Sequence, residues 1–361
     1  MSDFKGGVLR ALSWLVVIAA LWGFWILAEA ASVSVSSAPS ESALPERTGM
    51  LFPYYEPDDL LGSVRRFHFE SHGQAVHTHL QALNGSLQAY CHGQGPLRAV
   101  REQYQKATLA WLGLSAVVMG PMLLNNTVRQ VDFRPLRENL LKRAIAKQPE
   151  GAQEMALIGS PAKGFPALEH LLFGNTAPAG SPACAYAVQV AQDLDRTFAA
   201  LDWQGQSAQP NVQLYFNQVL GGVQRLAWEG MQKPWMQHQD SGAEGPMTWP
   251  HGGVGLAVAA WKTQWQSIEN LLVLQGGFVP DARHQTVPLE AFLRGLGKVD
   301  LADALLAACV RVDGTMAVLD AENPASVSAA AQALQALKAT METQVAKGLN
   351  VSIQFSSSDG D

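Results

Sequence analysis

The chain has 361 residues, 48% of them apolar and 16% charged, with a formal net charge of −6. This composition describes a globular chain with a full hydrophobic core and excludes a disordered or multi-spanning one. No Lys/Arg cluster offers phosphates an electrostatic footprint, so nucleic acid is not an expected partner.

The N-terminus reads as an export signal. Lys5 and Arg10 precede an unbroken apolar run from Ala11 to Ala28, and Ala28-Glu29-Ala30 has the small-x-small form of a cleavage site. The expectation is a signal peptide over residues 1–30, cleaved after Ala30. The run is also about the length that spans a bilayer, so retention as an inner-membrane anchor through residues 11–28 is the alternative. Either route places the rest of the chain in the periplasm, with membrane contact confined to the N-terminal segment. No Cys follows the run, which leaves a lipid anchor unsupported. Residues 32–48 are rich in Ser, Ala, Pro and Glu, and the whole stretch 31–67 is read as a flexible tether.

Beyond the tether the apolar period is helical. Val76, Leu80, Leu83, Leu87 and Tyr90 recur at three- and four-residue steps, as do Tyr186, Val190, Leu194, Phe198 and Leu201. Val327, Ala331, Leu334, Leu337, Met341 and Val345 repeat the pattern. Gly120-Pro121, Gln209-Pro210, Gly277 to Pro280 and Asn323-Pro324 punctuate it. The spacing predicts helices over about 70–92, 96–119, 135–147, 166–174, 183–203, 210–231, 252–275, 288–296, 300–319 and 324–348. Only Val351–Phe355 alternates like a strand. Long helices with one apolar stripe each call for an all-α fold of two packed four-helix-type bundles, about 68–175 and 183–350, followed by an acidic tail. The changeover is expected in the Gly/Ser/Pro-rich stretches 148–182 or 232–250.

Three cysteines are too few for a disulfide scaffold and lack zinc spacing. Cys309 falls within the stripe Leu301, Leu305, Cys309, Val312, Met316 and reads as a buried free thiol. Cys91 and Cys184 each fall at a helix edge, and export leaves a bridge between them as open as two free thiols.

The most distinctive segment runs Gly164-Phe165-Pro166-Ala167-Leu168-Glu169-His170-Leu171-Leu172-Phe173-Gly174. It resembles the central Gly-x-His-x-x-Glu motif of the imelysin family. Other pieces agree in order: His77 to Cys91 resembles the family's first helix, and Ala110-Trp111 with Gly120-Pro121 its second. Arg129 through Phe133 to Pro135 resembles its Arg-x-x-x-aromatic-x-Pro connection, Cys184 opens the helix after the motif, and Phe355 to Asp361 resembles its tail. The resemblance covers about residues 68–361. It implies a ligand site near the motif, iron or another divalent metal as the cofactor or cargo, and either a role in iron uptake or metallopeptidase activity.

One departure matters. A His and a Glu three residues apart share a helix face and can hold a metal together. Here Gly164 and Glu169 match, but Pro166 stands where the motif has His, and proline offers no lone pair. His170, adjacent to Glu169, lies about 100° around a helix and is expected to point elsewhere. Pro166 is read as the first residue of a helix, with Glu169 in its first turn and stabilised there by the helix dipole. A merely structural helix start and a binding role for Glu169 are both open readings.

A second cluster is histidine: His68, His72, His77, His79 and His92. His68 and His72, four apart, are the spacing-based candidates for metal ligands beside Glu169, against a solvated histidine-rich helix start. His251-Gly252-Gly253 lacks the Lys-Ser/Thr of a phosphate loop. No Gly-x-Ser-x-Gly elbow and no His-Glu-x-x-His helix is present. The site expected is therefore Glu169 with Gly164, Arg129 and His251, facing a cleft between the bundles, and without catalytic residues. The functional expectation is an envelope binding or accessory protein linked to iron or other metal acquisition. An imelysin-type metallopeptidase and an envelope scaffolding protein are the alternatives.

Overall fold

Periodic apolar stripes become helices here because each can be buried against a neighbour. The structure, a computed structural model, describes residue 47 and residues 49–204, 211–242, 245 and 247–353. The leader, the cleavage site, most of the tether's first half and the residues from Gln354 to the acidic tail lie outside the described residues. Among the described residues there is no strand, and Val351 to Ile353 are irregular.

The first set of helices is α1 (Pro57–Val64), α2 (Ser71–Cys91), α3 (Leu97–Ser115), α4 (Thr127–Val131), α5 (Glu138–Lys147), α6 (Gly164–Glu169) and α7 (Pro182–Ala199). The second is α8 (Val212–Ala227), α9 (Lys233–Asp240), α10 (Ala257–Leu272), α11 (Leu289–Gly295), α12 (Val299–Ala317) and α13 (Pro324–Thr340). In the first set α2 packs along α3 and α7, and α6 fills the space between α7 and α3. In the second, α8 and α12 flank α13, and α10 packs on α8 and α12. The two sets meet chiefly along α3 and α10.

Two parts of the sequence reading change. Residues 57–67, assigned above to the tether, are helical: α1 runs through a π-turn, Arg65–Glu70, directly into α2. Leu60, Leu61 and Val64 bury one face of α1, and Asp59 Oδ2 accepts from the Glu56 backbone N–H at 2.9 Å to cap its start. Upstream, Tyr55 Oη donates to the Pro280 carbonyl at 2.7 Å. Arg47 reaches the fully buried Glu290 at 3.1 Å and donates to the Leu274 and Gly276 carbonyls. Arg294 also pairs with Glu290, at 2.9 Å, so this interior carboxylate is doubly compensated. The chain is thus anchored to the body well before residue 68.

The second change concerns α7, which the sequence reading grouped with the later helices. Its stripe of Tyr186, Val190, Leu194 and Phe198 is buried against the first set, where Phe198 meets Trp111 edge-on at 5.3 Å. A disulfide between Cys91 and Cys184 joins the end of α2 to the start of α7, with 5.7 Å between their α-carbons. Cys309 is free and buried in α12.

The histidine-rich start of α2 is not a solvated end, and its first two imidazoles are engaged within the fold. His68 is 2% exposed, and its Nε2 lies 3.3 Å from Ser267 Oγ, whose own proton goes to the Gly113 carbonyl at 2.6 Å. This relay ties α10 to α3. His72 Nδ1 donates to the His68 carbonyl at 2.8 Å, and burial with the adjacent His72 holds the His68 imidazole neutral. Gly73 leaves room for the Trp203 indole, on which a side chain there would press. His77 instead pairs with Asp195 of α7 at 2.8 Å.

A carboxyl pair, Glu269 of α10 and Asp313 of α12, joins two helices of the second set. Burial and the neighbouring Asp313 push the Glu269 carboxyl up to about 7, and burial raises Asp313 as well. Trp265 Nε1 donates to Asp313 Oδ1 at 2.6 Å. A raised carboxyl is protonated in both folded and unfolded chains at low pH. It then becomes a liability as pH rises from the unfolded value through about 7. Glu269→Gln should therefore leave stability unchanged near pH 4 and increase it at pH 8, by on the order of 2 kcal/mol after solvent screening. Urea unfolding across that range measures it, and equal curves for variant and parent at pH 8 would show that the pair ionises freely.

Candidate functional site

The site begins with a buried indole. Trp111 on α3, stacked at 6.0 Å on Phe165 of α6, donates from Nε1 to Asp132 Oδ2 at 3.0 Å. Asp132 closes α4, and its other oxygen accepts from Arg134 Nε at 2.9 Å. Arg134 Nη2 then donates to Glu169 Oε2 at 2.8 Å. Burial works against the charge of Arg134, but Asp132 and Glu169 outweigh it and hold the guanidinium protonated. The result is a Trp111–Asp132–Arg134–Glu169 relay running from core to surface, where the Arg134 side chain is 38% and the Glu169 side chain 22% exposed.

These charges open onto a cleft of about 620 Å³. Arg134, Pro135, Pro166, Glu169, His170 and Phe173 form one wall. Gly253 and Val254, in the short turn before α10, contribute from the second set of helices. Gln105 Nε2 donates to the Val254 carbonyl at 2.8 Å and fixes that turn against α3. Tyr104, buried behind the cleft, donates to the Phe165 carbonyl at 3.1 Å. Burial and Glu169 keep its phenol protonated.

The expected site residues separate. Glu169 lines the cleft. His251 sits at a left-handed φ of 59°, and its buried Nδ1 meets no hydrogen-bond partner among the described residues. Burial and the Arg134 charge lower its pKa, so the imidazole beside the relay is neutral. Gly164 is a packing residue: its φ is 79°, and a β-carbon would run into the Val131 carbonyl. Arg129 lies outside the cleft, exposed, with its guanidinium 5.7 Å from the Phe133 ring centre.

Three local expectations are corrected. Helix α6 starts at Gly164, so Pro166 is its third residue, where the missing N–H is one the helix leaves unpaired anyway. Glu169 is the last residue of α6, and Arg134, not the helix dipole, compensates its charge. His170 lines the same cleft as Glu169 and opens a π-turn, His170–Gly174.

The sequence profile of the imelysin family matches residues 69–347. The chain belongs to the imelysin family. An imelysin-like protein from Psychrobacter arcticum 273-4 superposes with a TM-score of 0.67 at 16% identity, covering 85% of this chain and 100% of that one. An iron-regulated protein A precursor from Parabacteroides distasonis ATCC 8503 gives 0.63 at 15% identity, covering 84% and 97%. At these identities the likeness shows a shared fold. Among curated proteins none matches.

In this imelysin-family chain the motif position opposite Glu169 is filled by Pro166, and the carboxylate is already met by a guanidinium. Among the described residues no group of three or more His, Cys, Asp or Glu side chains is arranged to hold a metal ion. The donors on the cleft wall, a carboxylate already bound to arginine and the His170 imidazole, fall short of the three or four ligands of a resident metal. Sequence reasoning missed Arg134, Asp132 and Trp111. Arg134 stands one residue before Pro135 in the segment singled out for Arg129, and of the two arginines it is Arg134 that lines the cleft.

Proposed function

We propose that this imelysin-family protein acts in the bacterial envelope as a binding or accessory component of iron acquisition. Its ligand would sit in the Arg134–Glu169 cleft, and it would not hydrolyse peptides. The Arg134–Glu169 ion pair carries the reading. It sets a hydrogen-bond donor and an acceptor side by side at a half-open surface, which suits a polar ligand offering the complementary pair. It also places a fixed positive charge where metal-assisted hydrolysis would need a cation with an open position for water. The link to iron is supported by the iron-regulated relative of the same fold.

Deleting the gene and growing cells under iron limitation tests the proposal. A wild-type copy should restore growth, and Glu169→Gln or Arg134→Met should not. Both variants should fold, because a partly exposed ion pair contributes about 1 kcal/mol or less. Equal growth of deletion and parent would break the link to iron. Chelator-sensitive cleavage of unfolded polypeptides that disappears in Glu169→Gln would instead establish a peptidase.

A further inference from the structure

A second cavity lies far along the second set of helices, between the π-turn Trp228–Gln232 with α9 on one side and α13 on the other. Its volume is about 360 Å³, within the range that holds a small ligand. Trp228, Trp235, Trp249, Met231 and Met236 are among the residues that line it. The indoles are held in place. Trp249 Nε1 donates to the Ala321 carbonyl at 2.8 Å, and its ring stands edge-on to Trp261 at 5.2 Å. Trp235 lies nearly parallel to Trp249, 19° apart with centres 6.5 Å apart. Trp228 and Met236 remain 37% and 48% exposed at the mouth, an unusual position for side chains of this size. The wall that presents Trp228 and Met231 is itself a π-turn, a distortion that recurs at functional sites.

Among the described residues no Asp, Glu, Lys or Arg lines this cavity. One hydrogen bond joins its two glutamine amides, Gln335 Nε2 donating to Gln232 Oε1 at 2.8 Å, and neither amide carries a charge. An anion would find no countercharge and would face the negative faces of the indoles. A primary ammonium or guanidinium would lose its hydration with no carboxylate to replace it. A cation without N–H groups suffers neither penalty, and it is attracted by aromatic faces and polarisable thioethers.

We propose that the Trp228–Trp235–Trp249 cavity is a binding site for a quaternary ammonium group. It is separate from the Arg134 cleft and does not depend on the function assigned to that cleft. Calorimetry with choline and with neohexanol, its uncharged carbon isostere, tests it on the intact mature protein. Choline should bind saturably at one site per chain, and neohexanol about tenfold more weakly. Trp228→Leu keeps an apolar side chain at a half-exposed position but removes a π-face, and should weaken choline about tenfold without changing the thermal midpoint. Glu169→Gln should bind choline like the parent. Neohexanol binding as well as choline, unaltered choline binding in Trp228→Leu, or no saturation would each overturn the assignment.

Discussion

Replacing both Cys91 and Cys184 with alanine should lower the folding free energy by about 4.6 kcal/mol. That is the chain-entropy value for a bridge closing a span of 93 residues. The bridge acts on the unfolded chain, which without it explores far more conformations before α2 and α7 meet. It is reinforced locally, since the Gly180 N–H donates to the Cys91 carbonyl at 2.9 Å and fixes the approach to α7. The double variant is the proper comparison, because a single replacement leaves a reactive thiol. Guanidinium unfolding should show a lower midpoint, and thiol reduction of the parent should reproduce it. A loss below about 1 kcal/mol would mean that the bridge merely decorates helices already held by packing.

Gly164→Ala should lose about 3 kcal/mol and should also disable the cleft. At φ 79° any side chain is strained, and here the new β-carbon meets the Val131 carbonyl. Val131 ends α4 just before Asp132 and Arg134, while Gly164 begins the helix that ends at Glu169. Pushing the two strands of chain apart therefore separates Arg134 from Glu169. Gly180→Ala is the control: its φ is 74° but its surroundings are open, so it should lose only about 1 kcal/mol. Thermal unfolding of both variants, with iron-limited growth as the second readout, separates backbone strain from the collision. Equal losses in the two variants would remove the collision from the account.

Helices were legible wherever an apolar stripe ran for several turns, because burial of one face leaves a period in the sequence. What that period does not encode is which neighbour does the burying. The stripe of α7 names a buried face and is silent on whether α2 or a later helix covers it. The start of α1 was missed for a related reason. Its apolar content is only Leu60, Leu61 and Val64, too short to show a period, and its real fixings are long-range bonds from Tyr55 and Arg47. In the site, Gly164 and Glu169 stood out through the motif, whereas Arg134 did not. Its partner is 35 residues away, beyond α5, and a single arginine among several carries no pattern.

Cys309 gives the second set of helices a reporter of its own. Burial raises its thiol pKa and hides it within α12, so a thiol reagent can reach it only when that helix opens. The other two cysteines are bonded to each other and stay silent, so the labelling rate follows the fluctuations of one half of the body while the cross-link holds the other. The same burial matters wherever thiols and disulfides can exchange. Three thiols allow three pairings, and the two wrong ones both require Cys309. In the folded chain that burial withholds Cys309 from exchange and so keeps the Cys91–Cys184 bridge from both alternative pairings.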